Sequence, residues 1–379
     1  MANQSITSTW VDVDVFRLPM ASPEDVSELS ALLKSGTIQA HEIVSIIAQT
    51  EGTGFARGYS SLCMQLLLSE YLDISPQAVF DRIPMMMIGL CGGLMSPHYT
   101  VFTRRTVEAP ASPPSEKRLT VGIADTRVLL PEEYGTMTQV KLVAEAVEAA
   151  IAQAGISSLD DVHCVEIKCP AMTPARLQDA EQRGTSVIST NLNQASSMAK
   201  GACALGIGLA LQEIPAEKLT DAVINRNRAL YTQRGSVSAG GEQSACRVLV
   251  MGNSDRSVSR YRVGHGVMTD QLDVSGVYAA LHSAGLLSQN KTTSLTPEQQ
   301  ARITQLFVNC GADAVNAVQG RRHTMHSDFL AGYAGIMAKA VANAIVASVA
   351  GDTMVLASAG NEHQGAPGSN LIAAIVQCH

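Results

Sequence analysis

Ser238-Ala239-Gly240-Gly241-Glu242 is repeated further along the chain as Ser358-Ala359-Gly360-Asn361-Glu362. Each stretch places a serine two residues before a glycine, whose backbone adopts conformations that other residues avoid. A serine in such a turn can act as a nucleophile when a base lies beside it. Similarity at this long spacing predicts a chain built from duplicated units that share one central site.

The similarity continues upstream of both serines. Lys168 lies near the end of the apolar segment 165–169, and Asn309 holds the same place in segment 306–310. Between these segments and the serines, Lys200 and Lys339 each stand near the start of a small-residue, apolar run. Each unit is therefore predicted to contain a strand with Lys or Asn, a helix with Lys, and a serine turn.

A weaker third copy is found in the N-terminal part of the chain. It has Gln49 at the first position, Ser61 at the second and Ile88 at the third, with Gly89 following in an Ile-Gly-Leu turn. This copy retains the layout of the other two. It has lost their lysine and serine, so we expect a degenerate site.

The three copies predict an α/β (α+β) fold. Three similar units, each a sheet with helices on one face, are expected to surround a pseudo-threefold axis, with a central β-barrel-like core and the helices outside. We expect a first unit over 1–105, a Pro- and Ser-rich linker over 106–118, a second unit over 119–252 and a third over 253–379.

Periodicity assigns the local elements of these units. The predicted helices lie at 22–34, 39–48, 60–72, 138–154, 196–212, 274–286 and 333–349, with a further one beginning at 297. The predicted strands lie at 11–16, 83–88, 119–124, 162–167, 247–251, 261–264 and 354–356, with another ending at 309.

Composition limits the class of protein. Of the 379 residues, 46% are hydrophobic and 16% charged, which is enough apolar material for a large core. The net charge of -7 argues against nucleic acids and anionic membranes as partners. The eight cysteines form no C-x-x-C motif and are interpreted as buried free thiols. The first residues carry no secretory signal pattern and no apolar run is long enough to span a membrane, so we expect a cytoplasmic location.

Short motifs along nearly the whole chain resemble the cyanuric acid hydrolase and barbiturase family, the ring-opening amidohydrolases. The motifs are Phe16-Arg17-Leu18-Pro19, Thr50-Glu51-Gly52-Thr53-Gly54, Ser96-Pro97-His98, Lys168-Cys169-Pro170, Thr173-Pro174-Ala175, Gly264-His265-Gly266, Arg322-His323-Thr324 and Glu362-His363-Gln364-Gly365. The resemblance implies a three-unit fold with the active site on the axis. It also implies hydrolysis of a cyclic amide or imide, a small heterocyclic substrate, and a homo-oligomer, with a tetramer suggested by the family.

The resemblance places the reactive pair at Lys168 and Ser238. A lysine amine can serve as the base for a serine when burial or a nearby cation lowers its pKa. The backbone N–H groups of Ala239 and Gly240 are candidate oxyanion donors. Lys200 and Lys339 are expected to orient substrate carbonyls and to lower the pKa of Lys168. The remaining expected substrate-binding residues are Ser358, Ala359, Ile88, Gly89, Gln49, Ser61 and Asn309.

The chain also departs from the family pattern, in which each unit supplies a lysine, a serine and an arginine. Asn309 replaces one lysine, and lysines stand at two arginine positions, where a point charge replaces a planar fork. Because the first unit presents Ile88 and Gln49, we expect a substrate less symmetric than cyanuric acid. In this hypothesis Ser238 attacks one carbonyl, Ser358 and Lys339 hold a second, and a carbon-rich or substituted edge faces Ile88.

No cofactor is expected to be required, although the resemblance implies a structural divalent cation held by the C-terminal loop. Glu362 and Gln364 are the candidate ligands. Gly311, however, stands where the family has a ligating glutamate, and a hydrogen-bonded turn is the alternative interpretation of this loop. Two alternatives to ring hydrolysis also stay open: a diverged enzyme with another reaction on a cyclic substrate, and an inactive homologue that binds a small molecule.

Overall fold

Three four-stranded sheets follow one another along the chain, each covered by helices. The computed structural model describes residues 9–52, 54–288 and 294–378. The predicted α/β fold class with three sheet-plus-helix units is therefore confirmed. None of the helices in these ranges is long and apolar enough to cross a membrane.

The first sheet has the order β1-β4-β2-β3. Its strands and helices are β1 (Trp10–Pro19), α1 (Ser27–Lys34), β2 (Ile43–Gln49), α2 (Gly54–Leu72), α3 (Pro76–Arg82), β3 (Met85–Ile88) and β4 (His98–Val107). The helix predicted over 39–48 is wrong, because this segment forms β2 after a single short turn of 3-10 helix. Its Ile and Val residues are buried on both faces of the strand, so their pattern does not alternate, and periodicity alone does not separate such a strand from a helix.

The second sheet repeats the arrangement as β5-β8-β6-β7. Its elements are β5 (Arg118–Asp125), α4 (Met137–Ala154), β6 (Val162–Pro170), α5 (Pro174–Gln182), α6 (Leu192–Ala210), β7 (Gly235–Gly240) and β8 (Arg247–Ser254). Helix α4 ends at Gly155, which adopts the left-handed conformation that glycine tolerates best. Helix α6 begins at Asn191, whose side chain accepts a hydrogen bond from the backbone N–H of Gln194.

The third sheet has the order β13-β10-β14-β9, which is the same arrangement again. Its elements are β9 (Tyr261–Met268), α7 (Ser275–Ser283), α8 (Pro297–Ala301), β10 (Ile303–Cys310), a short hairpin of β11 (Ala317–Val318) and β12 (Arg321–Arg322), α9 (Ala334–Ala350), β13 (Leu356–Ala359) and β14 (Asn370–Gln377). In every unit the second and third main strands are parallel and are joined through helices. The last strand of each unit pairs antiparallel with both the first and the second.

The apolar core has one layer per unit and one central cluster. Each sheet packs its outer face on its own helices. The central cluster takes residues from all three sheets, among them Phe102, Met251 and Ile375. Between the described parts of different sheets, pairing is limited to isolated bridges such as Val11 with Ser257. The barrel-like core is thus enclosed by three separate sheets rather than by one closed barrel.

Candidate active site

The first and third positions of the repeat are direct neighbours on paired parallel strands. The three register pairs are Lys168 with Ser238, Asn309 with Ser358, and Gln49 with Ile88. Side chains directly opposite each other on paired strands lie on the same face of a sheet. The residues that the repeat connects over long stretches of sequence are therefore adjacent in space.

The sequence predicted that both serines lie in turns, which is wrong, because both lie on strands. Ser238 is within β7, Ser358 is within β13, and Ile88 is the last residue of β3. Gly240, two residues after Ser238, leaves room for a neighbouring side chain. A Cβ at Gly240 would collide with the carboxylate of Glu242, which folds back over this backbone.

A cavity of about 440 Å³ opens at the point where the three parallel strand pairs meet. It is lined by nine of the residues expected at the site: Lys168, Ser238, Ala239, Lys200, Lys339, Ser358, Ala359, Ile88 and Gly89. The other lining residues are Arg57, Leu90, Asn193, Ser196, Ser197 and Glu362. The backbone positions Ile88-Gly89, Ser238-Ala239 and Ser358-Ala359 surround it in equivalent places, one pair from each unit.

Three of the expected substrate-binding residues form the wall behind the cavity instead of lining it. Gln49 is fully buried; its Oε1 accepts a hydrogen bond from the backbone N–H of Ala357 at 2.8 Å, and its Nε2 donates to the carbonyl of Ile88 at 3.3 Å. Asn309 Nδ2 donates to the carbonyl of Gly360 at 2.9 Å. Gly240 lies just beyond the lining residue Ala239. These residues hold the strand ends together.

The second-position residue of the first unit is Arg57 and not Ser61. Ser61 is buried, and its hydroxyl contacts the sulfur of Met85. Arg57 lies one turn earlier on the same helix and lines the cavity, and its guanidinium covers Gly89, where a Cβ would lie 3.0 Å from Nη1. The first unit therefore supplies a cation that the sequence analysis missed.

Arg57 shares one sequence feature with the two lysines. It is the one basic residue of α2, just as Lys200 is the one basic residue of α6 and Lys339 that of α9. All three side chains line the cavity. The shared feature is a single basic residue in an otherwise apolar helix, and it does not require the three copies to have equal spacing.

Lys200 and Lys339 each contact a residue of a different unit. Lys200 of the second unit pairs with Glu362 of the third, with 2.7 Å between Nζ and Oε1. Lys339 of the third unit donates from Nζ to the carbonyl of Gly89 in the first, at 2.9 Å. Thus Lys200, and not Lys339, is the cation beside the segment that follows Ser358. Lys339 and Ser358 line the same cavity, so their expected joint hold on a carbonyl stays a prediction.

Lys168 is buried in a setting that suits a base. Its side chain is 1% exposed, and Nζ donates to the carbonyl of Met87 at 2.8 Å. Burial lowers its pKa to about 8; the carboxylate of Glu242 opposes this shift, while the positive charges of Arg57 and Lys339 add to it. An amine with this pKa is neutral in an appreciable fraction of molecules near neutral pH and can accept a proton.

The other two lysines differ in charge state. Burial acts to lower the pKa of Lys200, but the neighbouring carboxylate of Glu362 outweighs it and the pKa is raised. Burial lowers the pKa of Lys339 to about 8, assisted by Arg57 and Lys200. Lys200 is therefore a permanent ammonium group.

The Oε1 atoms of Glu362 and Gln364, the candidate ligands of the implied cation, are engaged within the protein. The Oε1 atom of Glu362 accepts hydrogen bonds from Lys200 and from the hydroxyl of Ser197, and Gln364 Oε1 accepts the backbone N–H of Val237 at 2.6 Å. A side chain at Gly311 would collide with the carbonyl of Ser369. No group of three or more His, Cys, Asp or Glu side chains able to hold a metal occurs in the described part of the chain.

Known proteins are similar to this chain over nearly its whole length. The family model described as amidohydrolase ring-opening protein matches residues 14–377. A cyclic amide hydrolase of Azorhizobium caulinodans is 43% identical over 96% of this chain and 99% of its own length. A cyanuric acid amidohydrolase of Pseudomonas sp. strain ADP is 37% identical, again over 96% of this chain and 99% of its own length.

Solved structures give the same result. A cyanuric acid hydrolase described as an innovation by structural concatenation superposes with a TM-score of 0.90 at 37% identity, over 97% of this chain and 100% of that one. The cyanuric acid hydrolase of A. caulinodans superposes with a TM-score of 0.85 at 34% identity, over 97% and 99% of the two chains.

Proposed function

The chain belongs to the ring-opening amidohydrolase family, and on that premise we propose that it hydrolyses a cyclic amide or imide with Ser238 as nucleophile and Lys168 as base. One structural observation supports the choice of Ser238 and Lys168 for these roles. Of the three register pairs, Lys168 with Ser238 is the one that joins a hydroxyl to an amine. The buried amine has the lowered pKa that a general base needs near neutral pH.

The reaction proceeds in two stages. The proton of the Ser238 hydroxyl passes to the Lys168 amine, Oγ bonds to the substrate carbonyl carbon, and the carbonyl electron pair moves to its oxygen. The carbonyl then reforms, the ring C–N bond breaks, and the Lys168 ammonium gives its proton to the departing nitrogen. Water, deprotonated by Lys168, then attacks the resulting ester, the bond from Oγ to the acyl carbon breaks, and the Lys168 ammonium returns its proton to Ser238 Oγ.

The lining of the cavity supports a carbonyl-rich substrate. Among the described residues, four basic side chains line it, namely Arg57, Lys168, Lys200 and Lys339, against the one carboxylate of Glu362. Such an excess of positive charge favours carbonyl oxygens and ionised imides. Arg57 adds a planar fork that can bind an oxygen through two N–H groups.

The three sides of the cavity are not equivalent, so we propose a substrate that is less symmetric than cyanuric acid. Ser238 faces the carbonyl that is attacked, and Ser358 with Lys200 holds a second. The third side combines the cation Lys339 with the apolar side chains of Ile88 and Leu90. We propose that this side accepts a ring edge carrying a carbon substituent.

The test is turnover of matched rings in water enriched in ¹⁸O, read by mass spectrometry. The set is cyanuric acid, barbituric acid and a 5-alkyl barbiturate. We expect a product with one added labelled water, formed fastest from a ring with a carbon edge, and lost in Ser238→Ala and Lys168→Met. Fastest turnover of cyanuric acid contradicts the proposed asymmetry. Binding without product, or a product without added water, contradicts hydrolysis and supports the inactive or the diverged alternative.

A further inference from the structure

The carboxylate of Glu242 lies next to Lys168 and has no part in the steps above. Its Oε1 is 3.8 Å from Nζ of Lys168, within the range of an ion pair. This oxygen is buried and, within the described residues, accepts no hydrogen bond. A buried carboxylate oxygen without a partner is costly unless a positive charge faces it. The geometry therefore provides a counter-ion for an ammonium group at Lys168.

The equivalent residue of the third unit is engaged differently. Glu362 follows Ser358 at the same spacing as Glu242 follows Ser238. Its carboxylate is bound directly to Lys200 at 2.7 Å and to the hydroxyl of Ser197 at 2.8 Å. Its charge is thus already matched by a permanent ammonium. Glu242 faces the lysine that gains and loses a proton.

The backbone around Glu242 is shaped to admit its side chain. The carboxylate lies so close to the Cα atom of Gly240 that any Cβ there would overlap it. A side chain at Gly240 would therefore force the carboxylate of Glu242 to move from its place beside Lys168.

We propose that Glu242 is a positioning residue for Lys168, which stabilises the ammonium formed when Ser238 is deprotonated. This inference rests on the proposed function. When the proton arrives on Nζ, the Met87 carbonyl holds one N–H, and the carboxylate of Glu242 compensates the new charge. The arrangement parallels the acidic member of a serine–histidine–aspartate triad, which stabilises the protonated base without itself taking the proton.

The test compares Glu242→Gln with Glu242→Asp and with the matched control Glu362→Gln. The first readout needs no substrate. Lys168 is acetylated with acetic anhydride at a series of pH values, and peptide mass spectrometry measures the extent of acetylation. The pH at half-maximal acetylation, the labelling midpoint, reports the protonation of the Lys168 amine. We expect Glu242→Gln to move this midpoint to lower pH by about one pH unit, because an opposite charge nearby is lost. Glu242→Asp retains much of the effect, and Glu362→Gln leaves the midpoint of Lys168 unchanged.

The second readout is the pH profile of turnover. In Glu242→Gln we expect the acid limb of kcat/KM to move with the labelling midpoint, and the plateau of kcat to fall about tenfold or more. An unchanged midpoint, or an unchanged plateau in an active protein, overturns the proposal. If the wild type opens no ring while Glu242→Gln still shifts the labelling midpoint, the proposed function is refuted. The pairing of Glu242 with Lys168 is supported in that case.

Discussion

The second and third units place a serine in the same register on the same edge strand, yet their surroundings differ. Ser238 faces Lys168, whose amine is buried with a carboxylate at 3.8 Å. Ser358 faces Asn309, whose amide is used to hold the carbonyl of Gly360. A serine becomes a nucleophile through its neighbours and not through its local sequence. The comparison supports our proposal that reaction belongs to the second unit and binding to the third.

The largest expected difference between the two units is in the kinetic effect of removing each serine. Ser238→Ala is expected to lower kcat by at least about 10⁴-fold, because nucleophile and base act as one unit. Ser358→Ala is expected to lower kcat/KM by about 10- to 100-fold through weaker substrate binding. Steady-state kinetics with the best ring substrate measures both. Equal losses in the two variants would contradict the division of roles.

The pH dependence of turnover tests whether Lys168 is the base for Ser238. Lys168 must be neutral to accept the serine proton, and its pKa is lowered to about 8. We therefore expect kcat/KM to rise about tenfold per pH unit below pH 8 and to level off above it. In Lys168→Met the residual activity should lose this limb. A limb that persists in that variant would assign the titration to another group.

The first unit extends the comparison, since its helix carries Arg57 one turn before Ser61. Arg57→Gln is expected to raise KM about tenfold, because a cation lining the cavity is lost. Ser61→Ala, which alters a buried hydroxyl outside the cavity, is expected to change KM by less than about twofold. KM values for the two variants decide between the two helix positions. A larger effect of Ser61→Ala would restore the interpretation made from the sequence.

The smallest expected effect concerns stability. Lys339 is 6% exposed with its pKa lowered to about 8, so its charged form is disfavoured in the native state. Lys339→Met is expected to raise the free energy of unfolding by roughly 1 to 2 kcal/mol at pH 7. The gain should shrink as the pH rises from 8 towards 10.5, where the wild-type lysine is neutral in both states. Urea unfolding at pH 7 and pH 10 measures the difference, and an equal gain at both would contradict the charge argument.

The sequence predicted the parts of the molecule that repeat. Lys168 and Ser238 were matched to Asn309 and Ser358 by the similarity and order of the stretches around them, and the structure pairs each set across parallel strands. Strands β4 and β14 were missed, although each lies in the interior of its sheet. Their apolar runs carry no clear alternation, since residues from both faces are buried.

What the sequence could not predict are contacts that cross between units. Nothing in the local pattern around Lys339 indicates that its ammonium reaches Gly89, or that Lys200 meets Glu362. These contacts depend on how three sheets pack around the axis. Arg57 was missed for another reason: the second position of the first copy was placed at Ser61, and the helix carries the cation one turn earlier.

The most direct test of the difference between the two serines is to trap the acyl-enzyme. The protein is mixed with its best ring substrate, quenched in acid within milliseconds and digested, and the peptides containing Ser238 and Ser358 are weighed. We predict an added mass equal to the ring-opened acyl group on the Ser238 peptide and none on the Ser358 peptide. An adduct on Ser358, or ring opening that continues in Ser238→Ala, would contradict the account.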